Sequence, residues 1–199
     1  MRRAADSVPA MAGEPVGADD RLVWIDLEMT GLEVERHVIV EIACIVTDSD
    51  LAALDDGIDL VLHADGPALE EMGDYVRTMH TKSGLLGEIE ASDLTVAAAQ
   101  AQVLDYVRRH VPVPGIAPLC GNSIGVDRRF LDCYMRELDT YLHYRSIDVS
   151  SLKELCHRWY PAIYRKRPNK SEQHRALDDI RESIEELRYY REQLFIPSQ

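Results

Sequence analysis

Four carboxylates and one histidine carry the chemistry this chain can offer. Asp26 and Glu28 stand two apart in VWIDLEMTG, Asp127 follows GNSIGV, and His174 and Asp179 lie in HRALDDIRES. Carboxylates do little for a protein core, because an unpaired buried charge is expensive to desolvate. They make sense if they converge on divalent cations, whose charge reverses that cost. A hard-cation cage beside a titratable imidazole is equipment for cutting a phosphodiester bond.

The spacing of these residues says which could meet. Asp26 and Glu28 close an apolar run, and residues two apart in a strand project from the same face. Ile25 and Leu27 then face the other way, into the core. A carboxylate pair at a strand's carboxyl end, ahead of a turn at Gly31, is a usual place for a ligand crevice. Taken alone, the pair reads equally as a solvated strand end. Asp127 falls in the first turn of a helix, where the helix dipole alone would account for it. In the last helix Leu177, Ile180, Ile184, Leu187 and Leu194 form one apolar stripe. At about 100° per residue, Asp178 points nearly opposite that stripe, while Asp179 sits on its flank beside Ala176 and Ser183. Asp179 is therefore the preferred ligand. His174 lies roughly 140° round a helix from Asp179, so both reach one site only if His174 is on the loop leading into the helix.

The elements that must position these groups read as strands followed by alternating helices and strands. Strands are expected at 22–25, 38–46, 58–62, 116–120 and 145–149. Short helices are expected within 67–83, and longer ones at 94–110 (capped by Ser92 or Asp93), 125–138, 150–159 (capped by Ser150) and 172–193. Three consecutive strands and then α-β alternation imply an α/β fold with a mixed five-stranded sheet flanked by helices. Residues 1–20 are rich in Ala, Gly, Pro and Asp without any period. They read as a disordered leader ahead of a single domain over 21–199.

Composition narrows the class. The 199 residues suffice for one domain with a full core. No apolar run approaches the roughly 20 residues of a membrane helix, and the start lacks the basic-then-apolar order of a secretory signal. Cys44, Cys120, Cys133 and Cys156 are scattered without a C-x-x-C pair, so they read as reduced structural thiols in a cytoplasmic protein. The net charge of −13 argues against a long polyanionic substrate. Its distribution is uneven: residues 37–76 hold ten acids and no Lys or Arg, whereas residues 121–175 hold eleven Lys or Arg against seven acids. The basic half can hold a few phosphates, which suits a short nucleotide.

Asp26-x-Glu28, Asp127 and His174-x-Ala176-x-x-Asp179 resemble the three exonuclease motifs of the DEDD superfamily, in its histidine subgroup. DLEMTGL, EIACIVTD, CGNSIGVDRRFL, HYRSIDVSSLKEL and HRALDDIRESIEELRYYR further resemble the signature segments of the oligoribonuclease family, from Leu22 to Phe195. The resemblance implies a ribonuclease H-like fold and release of 5′-mononucleotides from the 3′ end of very short RNAs, down to dinucleotides. It implies that Asp26, Glu28, Asp127 and Asp179 hold two Mg²⁺ or Mn²⁺ ions and that His174 accepts a proton from the attacking water. Leu32 matches the apolar residue that wedges between two bases. Tyr75 stands where relatives often carry Trp as a stacking platform. His80, Ser123, Arg145 and Ser150 match the residues that cap the 5′ phosphate. Tyr144 and Arg145 match residues supplied by the other subunit, which implies a homodimer.

Three rival readings remain at this stage. A broader exonuclease of the same superfamily would act on tRNA ends or single-stranded DNA, against which the acidic balance and the phosphate cap argue. A non-catalytic nucleotide-binding protein would be expected to have lost a ligand or the base, and all five are present. A calcium-binding module needs a D-x-D-x-D-G spacing that the chain lacks.

Overall fold

A computed structural model describes residues 20–169 and 174–196. All but the last residue of the expected leader lies outside the described residues. The chain runs β1 (Leu22–Met29), β2 (Ile39–Thr47), β3 (Ile58–Val61), α1 (Gly66–Glu70), α2 (Asp74–Lys82), α3 (Leu85–Ala91) and α4 (Val96–His110). It continues through β4 (Pro118–Gly121), α5 (Gly125–Tyr134), α6 (Arg136–Tyr141), β5 (His143–Asp148), α7 (Val149–Trp159), α8 (Pro161–Tyr164) and α9 (Ala176–Leu194).

The strands form one mixed sheet in the order β3-β2-β1-β4-β5. β1 pairs antiparallel with β2 and parallel with β4, and β5 continues parallel beyond β4. Alternation along the strands builds two cores. Val23, Ile25 and Leu27 of β1 and Ile42, Cys44 and Val46 of β2 pack with α4, α5 and α6 on one face. Trp24, Ala43 and Ile45 pack with α7 and α9 on the other. With both faces covered, every residue of β2 is buried, Glu41 among them. A charge in that position needs a partner.

Several boundaries differ from the expectation, each for a local reason. β1 extends to Met29, so Asp26 and Glu28 stand within the paired strand. The ladder to β2 continues past the apolar run because backbone pairing is indifferent to the side chain that faces the site. The expected 125–138 helix is divided at Met135, whose backbone (φ −133°, ψ 50°) leaves the helical region while its side chain is fully buried. Thr95, not Ser92 or Asp93, caps α4 by accepting from the Ala98 amide. Asp148, not Ser150, caps α7. α3 was not foreseen; Gly84 at φ +81° starts it and its Leu85 and Ile89 bury completely.

Candidate active site

The candidate residues gather at the carboxyl half of β1, reached by the first turn of α5 and by the start of α9. β4 pairs only with Val23 and Trp24 of β1 and then turns away into α5. The amide edge beyond is left to another partner. Asp127, in the first turn of α5, supplies one: its carboxylate accepts from the Leu27 amide at 3.2 Å. On the other face α9 crosses the sheet, with Ala176 fully buried and Ser183 almost so, which lets the helix lie close. Asp179 is thereby brought to Glu28. The ligand atoms of Glu28, His174 and Asp179 all lie within 4.8 Å of one another, a group able to hold a metal ion. His174 precedes α9, as the angular argument requires.

The electrostatics of this cluster favour a cation. Burial, and then the charges of Glu41, Asp179 and Asp127, push Glu28 up to about 8. Burial pushes Asp127 up to about 6, opposed by the hydrogen bonds from its own amide and that of Leu27. Carboxylates so arranged resist ionising together, and a divalent ion relieves both the desolvation and the repulsion. The donor set of carboxylate oxygens with one imidazole suits a divalent cation.

The remaining candidates take distinct positions. His80 is fully buried; its Nε2 lies 3.0 Å from the Met29 carbonyl and its Nδ1 4.0 Å from Glu28. Burial holds it below the usual histidine range. Tyr75, 76 % exposed, lines a cavity of about 260 Å³ with Thr78, Met79, Lys82 and His174. Leu32 is also exposed, on the loop after Gly31, where a Cβ would stand 2.5 Å from the His37 ring. Only glycine permits that close approach. Ser123, at φ +57°, and Ser150 come together with their hydroxyls 3.4 Å apart. Tyr144 and Arg145 lie on the edge strand β5, both exposed, the guanidinium 5.3 Å from the ring centre.

Residues outside the initial selection also contribute. One oxygen of Asp148 accepts from the amides of Ser123 and Ser150, each at 2.9 Å, and from the Ser150 hydroxyl at 2.5 Å. The D-V-S order ahead of a helix is the signal that could have revealed it. Glu41 was visible as a lone acid inside an apolar strand. Lys82 has no signature in sequence; it reaches the cavity because α2 lies beside it.

Residues 23–187 match the exonuclease family RNase_T. The oligoribonuclease of Streptomyces avermitilis is 59 % identical over 179 residues, covering 90 % of this chain and 89 % of its own. That of Rhodococcus jostii is 58 % identical over 178 residues, with 89 % of each chain covered. Among solved structures, exonuclease I of Methylocaldum szegediense superposes with a TM-score of 0.62 at 18 % identity over 87 % of this chain. The zinc-bound E. coli exonuclease I–single-stranded DNA complex gives 0.65 at 15 % over 88 %. The chain spans 41 % of each of these two larger proteins, and the likeness is one of fold.

Proposed function

The chain belongs to the exonuclease family and, within it, to the oligoribonucleases, and from that premise we propose how its site works. It is a 3′→5′ exoribonuclease that degrades short oligoribonucleotides, dinucleotides especially, to 5′-mononucleotides. The observation that carries this reading is the convergence of Glu28, His174 and Asp179 within 4.8 Å.

Asp26, Glu28, Asp127 and Asp179 would hold two divalent cations, Mg²⁺ or Mn²⁺. Bound there, such ions would supply activation of the water nucleophile and neutralisation of the leaving 3′-oxygen. His174 accepts the proton of the attacking water as a general base. Water adds to phosphorus, the bond to the 3′-oxygen breaks, and that oxygen takes a proton from solvent to leave as the 3′-hydroxyl of the shortened RNA. Leu32 wedges between the bases and Tyr75 stacks on one of them; the exposure of both side chains supports this. Ser123 and Ser150 close around the 5′ end, joined by Tyr144 and Arg145 of a second copy in a homodimer. The protruding aromatic and guanidinium on edge strand β5 support that arrangement. His80, buried against the Met29 carbonyl and beside Glu28, backs the cation site instead of the phosphate. Among the described residues no helix is long and apolar enough to cross a membrane. The four free thiols support a reducing, cytoplasmic setting.

The test is a time course with 5′-phosphorylated RNAs of two to seven nucleotides and Mn²⁺, with Asp179→Ala beside the wild type. Fastest cleavage of the dinucleotide, dependent on metal and lost in the variant, is expected. Rates that stay level or rise with length would replace this reading by that of a general single-strand exonuclease. Tight binding without cleavage would leave a nucleotide receptor.

A further inference from the structure

We propose that Glu41, Arg175 and Glu88 form a clamp that positions His174 over the acidic cluster, with Arg175 as the positioning residue. The inference rests on the reading of His174 as proton acceptor and adds to it how the imidazole is held.

His174 has φ +49°, a left-handed conformation that few non-glycine residues adopt, histidine among the more frequent, so the contacts that hold it there matter. The next residue supplies them. Arg175 donates from Nε to Oε1 of Glu41 at 2.8 Å, and from its two terminal nitrogens to both oxygens of Glu88 at 2.9 Å each. The other oxygen of Glu41 accepts from the Ala176 amide at 3.0 Å. The residue after His174 is thus tied to β2 and α3, and the one after that to β2. A guanidinium fork gripping two carboxylates fixes direction as well as distance.

Two features separate this arrangement from an ordinary helix cap. Glu41 caps α9 through the Ala176 amide; the two bonds from Arg175 to Glu88 add nothing to the helix and instead anchor its start to α3. Further, Glu41 is fully buried and stands directly opposite Glu28 in the strand register. Ion pairs at buried positions are weak sources of stability, and an apolar residue would fill the place at less cost. The charges instead set Glu28 and the backbone of His174 on one frame, through a single cross-strand step. Proton transfer is sensitive to such placement, since a displacement of about 1 Å can cost about 100-fold in rate.

The experiment compares Arg175→Lys and Glu88→Gln, alone and combined with His174→Ala, on a 5′-phosphorylated diribonucleotide with Mn²⁺. Lysine keeps the charge and loses the fork. Each single variant should lower kcat about 10- to 100-fold, with KM and calorimetric Mn²⁺ affinity within about twofold of wild type. In the His174→Ala background neither should cost anything more. Glu88 is half-exposed, so its variant carries the comparison if Arg175→Lys does not fold. Losses that recur in full on the His174→Ala background, or Mn²⁺ affinity that falls in step with kcat, would overturn the clamp. Full kcat in Arg175→Lys beside an impaired His174→Ala overturns the clamp alone. A His174→Ala enzyme at the wild-type rate overturns the role of His174 and the clamp with it.

Discussion

Glu28 and Glu41 face each other across the β1–β2 ladder, both buried, and meet opposite fates. Like charges directly opposed across a sheet destabilise it unless something intervenes. Glu41 is answered by Arg175 and by the Ala176 amide. Glu28 faces Asp179 and Asp127 instead, and is pushed up to about 8 chiefly by burial and by Glu41. One carboxylate thus belongs to the frame and the other to the cation site.

Metal binding should therefore release protons. Below about pH 8 the metal-free protein holds Glu28 protonated, and a cation must displace that proton. Apparent Mn²⁺ affinity should rise with pH up to about 8 and then level off. Because the folded value lies above the unfolded one of 4.5, the metal-free protein loses stability as pH rises from 4.5 through about 8. Calorimetry in buffers of different ionisation enthalpy reads the proton count, and melting in EDTA reads the stability. A pH-independent affinity between 5 and 8 would contradict the assignment.

Asp127→Asn keeps an oxygen to accept from the Leu27 amide but removes a charge from a buried site. The metal-free protein should melt at the same temperature or higher, since the retained acceptor avoids an unpaired amide. Activity should fall by about 10²–10³-fold or more, on the scale of losing one strong electrostatic contact in an active site. A variant that cleaves dinucleotides at the wild-type rate would remove Asp127 from the ligand set.

Tyr75→Ala should weaken substrate binding and spare the chemistry. Stacking of a base on an aromatic ring is worth about 1–3 kcal/mol, which corresponds to a rise in KM of about 5- to 150-fold. The ring is 76 % exposed, so its loss should leave the melting temperature in place. Steady-state kinetics on dinucleotides decide the matter, and an unchanged KM would assign the cavity beside His174 to something other than a base.

Asp148→Ala removes one acceptor that serves three donors, from Ser123 and Ser150. Loss of the α7 cap should cost about 1 kcal/mol. The two serines should also lose their common orientation, and the rate advantage of a 5′-phosphorylated over a 5′-hydroxyl dinucleotide should shrink with it. Should the melting temperature fall while that ratio holds, the serine pair does not bind the phosphate.

Much of the architecture was legible in order of residues alone. The apolar runs placed all five strands, and the stripe on the last helix placed Asp179 on the flank that approaches the sheet. The helical angle between His174 and Asp179 favoured a loop at His174, against the helix start expected at 172, and α9 begins only at Ala176. These are local properties: strand and helix periodicities depend on neighbours a few residues apart. Where local signals competed, the tertiary structure decided. Met135 breaks a helix that periodicity would continue, because its burial directs the chain elsewhere.

The sequence by itself determined which residue types could hold a cation and which faces they share within one element. Only the tertiary structure decided that Glu28 and Asp179, 151 positions apart, meet within 4.8 Å, and that Glu41 does not join them. Both glutamates are acids on one face of the sheet, and no local pattern tells them apart. What separates them is Arg175, 134 positions from Glu41, and a long-range ion pair has no period in the sequence to announce it.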